Sequence, residues 1–160
     1  MNKTTARDLI LAQLRTDLEL QTRAALLARD EAISEESRPE NQYDMHSQEA
    51  AYLAEGQARH AVEISETLAL YEGLPLTTVA ADSPVAVGAL VKVAGAKGEP
   101  TWYFLGPRGG GLEVAVDGHT VLVVTPQSPL GRELLGKTAG AAVRLLGRSA
   151  NAPHRIASVQ

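Results

Sequence analysis

Apolar residues recur every three or four positions through the first part of the chain. Leu11, Leu14, Leu18, Gln21, Ala25, Ala28 and Ala32 form one heptad-like series. Ala50, Ala54, Gln57, Ala61, Ile64, Leu68 and Tyr71 form a second. Residues 5–33 hold neither Gly nor Pro and are rich in Leu, Ala, Arg and Glu, which favour helix. The spacing predicts two long helices. Run antiparallel, the two series complement each other. Ala25, Ala28 and Ala32 face Ala50 and Ala54, while Leu11 and Leu14 face Leu68 and Tyr71. Residues 1–73 therefore read as a helical coiled-coil hairpin, slender where the seam is alanine; two helices of an ordinary bundle are the alternative, opposed by the lack of a third helix to complete it. A helix of about 30 residues would make a rod of roughly 45 Å at ~1.5 Å per residue. Gly56, inside the second helix, costs about 1 kcal/mol relative to Ala, and close packing would account for it.

The pattern changes beyond Gly73-Leu74-Pro75-Leu76, where it becomes β-branched and Gly-punctuated. Val85–Ala94 reads as a strand, Ala96–Pro100 as a turn and Thr101–Leu105 as a second strand. A loop follows over Gly106–Gly111. Leu112–Val116 and Thr120–Val124 flank Asp117-Gly118, a strong hairpin signal. Within Ser128-Pro129-Leu130-Gly131-Arg132-Glu133-Leu134-Leu135-Gly136-Lys137, Ser128 suits the N-cap, Pro129 the first helical position and Gly136 the stop. That predicts a helix of about two turns. Ala141–Leu146 and Arg155–Val159 are the last strand candidates. The fold class expected is α+β: a hairpin over 1–73, then a small antiparallel β-rich domain over 77–160.

Charge sharpens the division. Residues 1–73 hold 7 Lys+Arg against 14 Asp+Glu, and residues 74–160 hold 8 against 5. An acidic first half disfavours nucleic acid as its partner and favours a protein or a metal ion. With 4 % aromatic content, a large core built on rings is not expected. The chain has no Cys, which excludes disulfides and thiolate metal sites. No uninterrupted apolar run suggests a secretory signal or a membrane span, so a cytoplasmic location is expected.

The connection between the helices, residues 34–44, carries four acids and one base. Ser37-Arg38-Pro39-Glu40 fits a capping box, with Ser37 at the N-cap and Glu40 at the third helical position. Pro39 falls in the first turn, where its missing N–H costs little. A second reading has Glu40, Glu36 and Asp44 presenting oxygens to Mg²⁺, which takes one or two carboxylates and keeps its waters. A third is a solvated charge run. Elsewhere the signals are structural. Gly109–Gly111 lacks the Lys-Ser/Thr of a phosphate-binding loop and leads into a strand. His46, His60, His119 and His154 have no ligand spacing, and no Ser sits in a nucleophile elbow.

Two stretches together resemble the GreA/GreB family of bacterial transcript cleavage factors. One is Glu40-Asn41 followed by Glu55-Gly56. The other is the Ser128–Lys137 run, similar to that family's Ser-Pro-x-x-Arg-x-Leu-x-Gly-Lys segment. The resemblance implies a coiled-coil hairpin followed by an FKBP-like domain. It implies an accessory factor, without catalytic residues of its own, that docks at the secondary channel of RNA polymerase through Ser128, Pro129 and Leu130. The hairpin tip, here Glu36, Ser37, Glu40, Asn41 and Asp44, would then reach the polymerase active site near the 3′ end of backtracked RNA. There Glu40 would help hold the polymerase's Mg²⁺ while the RNA is cut. A DNA-binding association also comes with the family. A monomer is expected. The sequence departs from the family at Ser37, where a cleavage-competent tip has Asp, so the match supports polymerase binding better than cleavage. The runner-up is accordingly a channel-binding regulator that does not stimulate cleavage. A prolyl isomerase, suggested by the FKBP-like half, is opposed by the shortage of aromatics for a proline pocket. A coiled-coil adaptor is the remaining alternative.

Overall fold

The structure is a computed structural model that describes residues 1–33, 46–77, 80, 83–95, 100–145 and 154–160. Helix α1 spans Lys3–Ile33 and α2 spans His46–Glu72. The chain divides into two compact units, one of Met1–Ala12 with Leu70–Gln160, the other of Gln13–Ala69.

In the helical unit, the predicted seam is where burial occurs. Leu14, Ala28, Ala50, Ile64 and Leu68 are buried, and Leu18, Gln21, Ala25, Ala32, Ala54, Gln57 and Ala61 are half-buried. With Leu11 and Tyr71, which are buried in the other unit, all fourteen predicted positions are shielded. Apart from Ile10, the large apolar residues of the two helices outside the seam, among them Leu20, Leu27, Tyr52 and Val62, are exposed. One polar seam neighbour is buried, Thr67, whose hydroxyl donates to the Glu63 carbonyl at 2.8 Å and so needs no further partner. Gly56 has open space around its Cβ position, so close packing does not account for it.

The other unit holds a six-stranded sheet in the order β3-β4-β2-β1-β6-β5. The strands are β1 (Leu90–Gly95), β2 (Thr101–Leu105), β3 (Glu113–Val116), β4 (His119–Val124), β5 (Ala142–Val143) and β6 (His154–Val159), with α3 (Pro129–Leu134) between β4 and β5. The α+β class and the order of elements are as the sequence predicts. The sheet itself is mixed, because β4 pairs with β2 in parallel, Trp102 opposite Val121 and Leu105 opposite Val124. The Asp117-Gly118 hairpin is present, with φ of 50° and 78° at the two turn residues. It places β3 on the outer edge, so β4, the returning arm, lies against β2 and runs the same way.

Two predicted strands are shorter than expected. Val85–Ala89 is not part of β1. Gly88 has φ of 92°, Ala89 N–H donates to the Ala86 carbonyl, and Val85 pairs instead with the segment after α3, through Lys137 and Gly136. The last predicted strand but one reduces to Ala142–Val143 among the described residues. The predicted turn at Ala96–Pro100 lies outside the described residues except for Pro100.

Period-2 alternation divides the sheet's apolar residues between two faces. Val91, Val93, Tyr103, Leu105, Val124, Ile156 and Val159 form one core with Val85, Leu134 and Val143, and Leu130 packs at its margin. The neighbouring positions Leu90, Trp102, Phe104, Val121 and Val123 are also buried, on the opposite face. Tyr71, the last seam residue of α2, lies against Phe104 with ring centroids 6.2 Å apart. Ala6, Ile10 and Tyr71 are fully buried, which ties both helix ends into this unit.

Candidate functional site

The Ser128–Lys137 run folds as its capping signals require. Ser128 has extended backbone, with φ −69° and ψ 153°, and its Oγ accepts from the Gly131 N–H at 3.0 Å. The same hydroxyl donates to the Thr125 carbonyl at 2.8 Å. Ser128 thus closes the turn before α3 and satisfies one of the helix's orphan N–H groups, that of Gly131. A Cβ at Gly131 would collide with the Thr125 carbonyl. Glycine there lets α3 lie directly on the chain leaving β4. Gly136, with φ of 77°, ends the helix in the left-handed conformation.

This geometry sorts the three predicted docking residues. Ser128 is half-buried and committed to capping, and Leu130 is half-buried against the core. Pro129 is exposed. Arg132 and Leu135 are exposed too; Arg132, three residues on, falls on the same side of α3 as Pro129, and Leu135 is the C-cap residue at the end of the helix. The exposed surface of α3 and its C-cap therefore includes Pro129, Arg132 and Leu135. Arg132 and Leu135 were not singled out from sequence, although the three-residue step from Pro129 to Arg132 carried a signal.

Glu133 and Lys137 clasp the far end of the motif. The Lys137 ammonium donates to the Glu133 carboxylate and, at 2.7 Å, to the Ala142 carbonyl of β5. The Arg144 N–H donates to the same carboxylate at 3.2 Å. The Lys137 hydrogen bond, helped by the Arg144 N–H and by nearby positive charge, holds Glu133 below its ordinary carboxylate range against a smaller opposing effect of desolvation. Glu133 and Lys137 thus fasten α3 to β5.

The predicted tip residues Glu36, Ser37, Glu40, Asn41 and Asp44 lie outside the described residues, as does the capping box at Ser37–Glu40. Among the described residues no three His, Asp or Glu side chains converge on a possible metal position. No described helix is long and apolar enough to cross a membrane.

No family model matches the chain, and no curated protein matches it. Solved structures similar to it include GreA factor homolog 1 (Gfh1) of Thermus thermophilus, at 16 % identity and a TM-score of 0.38, covering 94 % of each chain. Gfh1 of Thermus aquaticus is similar at 18 % identity and a TM-score of 0.39, covering 93 % of this chain and 90 % of the other.

Proposed function

We propose that this chain is an accessory transcription factor that binds RNA polymerase at its secondary channel and promotes cleavage of backtracked RNA. The observation that carries the proposal is that all fourteen seam positions of α1 and α2 are buried or half-buried. Such a seam fits a helical hairpin, in which residues 34–45, with their run of acids, would connect the two helices and present carboxylates at the end. The Ser128–Lys137 segment supports the same reading, since it folds as a capped helix with an outward face free to meet a partner.

In this reading the chain has no active site of its own. Glu40, with Glu36, Ser37, Asn41 and Asp44 around it, would share the Mg²⁺ of the polymerase. Carboxylate oxygens suit that ion. The metal would supply Lewis-acid charge and an activated water for phosphodiester hydrolysis. The chain's own contribution is to place the carboxylate and to hold on to the polymerase through the exposed surface of Pro129, Arg132 and Leu135. The partners are RNA polymerase and, indirectly, the RNA 3′ end.

Binding to purified core RNA polymerase, followed by fluorescence anisotropy of the labelled full chain, tests the docking half of the proposal. Saturable binding, displaced by a known channel-binding cleavage factor and weakened by Arg132→Glu, is expected. Absence of binding would end the proposal. Ser37 favours the second reading, a channel-binding regulator, because a hydroxyl supplies no charge where a cleaving tip needs a carboxylate. That reading predicts the same binding and competition without RNA shortening.

A further inference from the structure

The side of α1 that the seam leaves free carries a patterned stripe. Leu20, Leu26, Leu27 and Ile33 are 57, 51, 65 and 70 % exposed. At about 100° per residue they fall opposite Leu18, Gln21, Ala25 and Ala28. Arg23 and Asp30 run along the middle of the same face, both exposed and neither in an ion pair among the described residues. Four large aliphatic side chains on one exposed helical face, with opposite charges between them, are more than scattered surface leucines.

The stripe is symmetric in sequence. Leu20 and Ile33 at its ends, Arg23 and Asp30 within it, and Leu26 and Leu27 at its centre all share one midpoint, the 26–27 peptide bond. Reversal about that point exchanges apolar with apolar and Arg with Asp. A parallel copy would set Arg23 against Arg23 and Asp30 against Asp30. An antiparallel copy sets each Arg23 against the other copy's Asp30, twice, and brings Leu26 and Leu27 against their counterparts across the two-fold axis. We propose that the outer face of α1 is a self-docking surface, on which a second copy of this chain pairs antiparallel about the Leu26–Leu27 bond, its register set by two Arg23–Asp30 ion pairs. This is an isologous interface, in which one patch serves both partners. Its apolar residues supply the burial and its charges exclude the parallel alignment. The exposed large apolar residues of α2, Tyr52, Leu53, Val62 and Leu70, show no such reversal symmetry.

A face of this size gives a weak dimer, so sedimentation equilibrium of the full chain should span about 1 µM to about 1 mM at low salt. The mass is expected to rise from monomer to dimer. Arg23→Asp and Asp30→Arg should each weaken association by about tenfold, and the double variant should restore it to within about threefold, since the exchange keeps every pair opposite in sign. Leu27→Glu should abolish association and Leu53→Glu should leave it unchanged. All four positions are exposed, so helix content by circular dichroism should stay constant. Because the chain has no Cys, oxidation of a Leu27→Cys variant can join only two copies, and its disulfide should form well ahead of that of Leu53→Cys. A monomer throughout the range, a double exchange that fails to restore the dimer, or equal cross-linking at 27 and 53 would each overturn the proposal.

Discussion

The Tyr71 hydroxyl lies against Gly106, in the space that a Cβ there would occupy, and donates to the Arg108 carbonyl at 2.9 Å. The end of α2 is thereby locked to the turn after β2. Gly106→Ala is expected to cost about 2–3 kcal/mol, the range for overpacking a filled site. Adding Tyr71→Phe to Gly106→Ala should recover part of that loss by removing the hydroxyl. Recovery stays partial because Cζ of the ring and Cγ1 of Val123 each lie 3.0 Å from the same point. Urea unfolding of the four proteins in the cycle measures the coupling. Additive effects would contradict the contact.

The same tyrosine predicts a pH dependence. Burial pushes the Tyr71 phenol above its ordinary value of 10.0. Above that pH the unfolded chain ionises the phenol while the folded chain keeps it neutral, so unfolding releases a proton. Stability is full below pH 10.0 and falls as pH rises beyond it. Tyr71→Phe should lose about 1 kcal/mol at neutral pH, the net worth of one hydrogen bond. Its further loss in alkali should be shallower than that of the parent chain. Parallel slopes in pH-resolved unfolding would place the phenol in water.

Much of this was legible in the chain. A heptad series needs only local periodicity, and every position it marks is buried or half-buried. Asp117-Gly118, Ser128 with Pro129, and Gly136 were legible because backbone geometry restricts those positions to few residue types. The parallel pairing of β4 with β2 was not, since it depends on which side of the β3–β4 hairpin meets the sheet. Val85–Ala89 has strand-like composition, but Gly88 turns it aside and the chain after α3 takes up its hydrogen bonds. For the docking motif, sequence marked Ser128, Pro129 and Leu130, and of these Ser128 and Leu130 are half-buried. Their side chains are spent on capping and packing, a distinction that only tertiary contacts reveal.

The motif around α3 therefore separates stability from binding. Ser128→Ala should cost about 1 kcal/mol through loss of the N-cap. Gly131→Ala should cost more, because the Thr125 carbonyl is backbone and yields little. Arg132→Glu should leave the thermal midpoint within about 2 °C, as expected of a surface change, while weakening polymerase binding. A reversed pattern, with Arg132→Glu destabilising and Ser128→Ala silent in stability, would contradict the assignment.

Gln21 occupies a seam position with its Oε1 buried and without a hydrogen-bond partner. An unmade hydrogen bond of this kind costs about 1–3 kcal/mol. Gln21→Leu should therefore raise stability by about 1 kcal/mol, within that penalty because the residue is only half-buried. Polar seam residues also fix register. Heat denaturation of the variant checks the gain, and a lowered midpoint would show that Gln21 is satisfied in solution.

The most direct test of the central claim uses RNA polymerase stalled in a backtracked complex with end-labelled RNA, Mg²⁺ and the full chain. RNA shortening that Glu40→Ala abolishes is the predicted result. Glu36→Ala and Ser37→Asp, run alongside, should respectively weaken and enhance the cleavage. No shortening, together with no competition against a known cleavage factor, would contradict both the cleavage reading and the regulator reading.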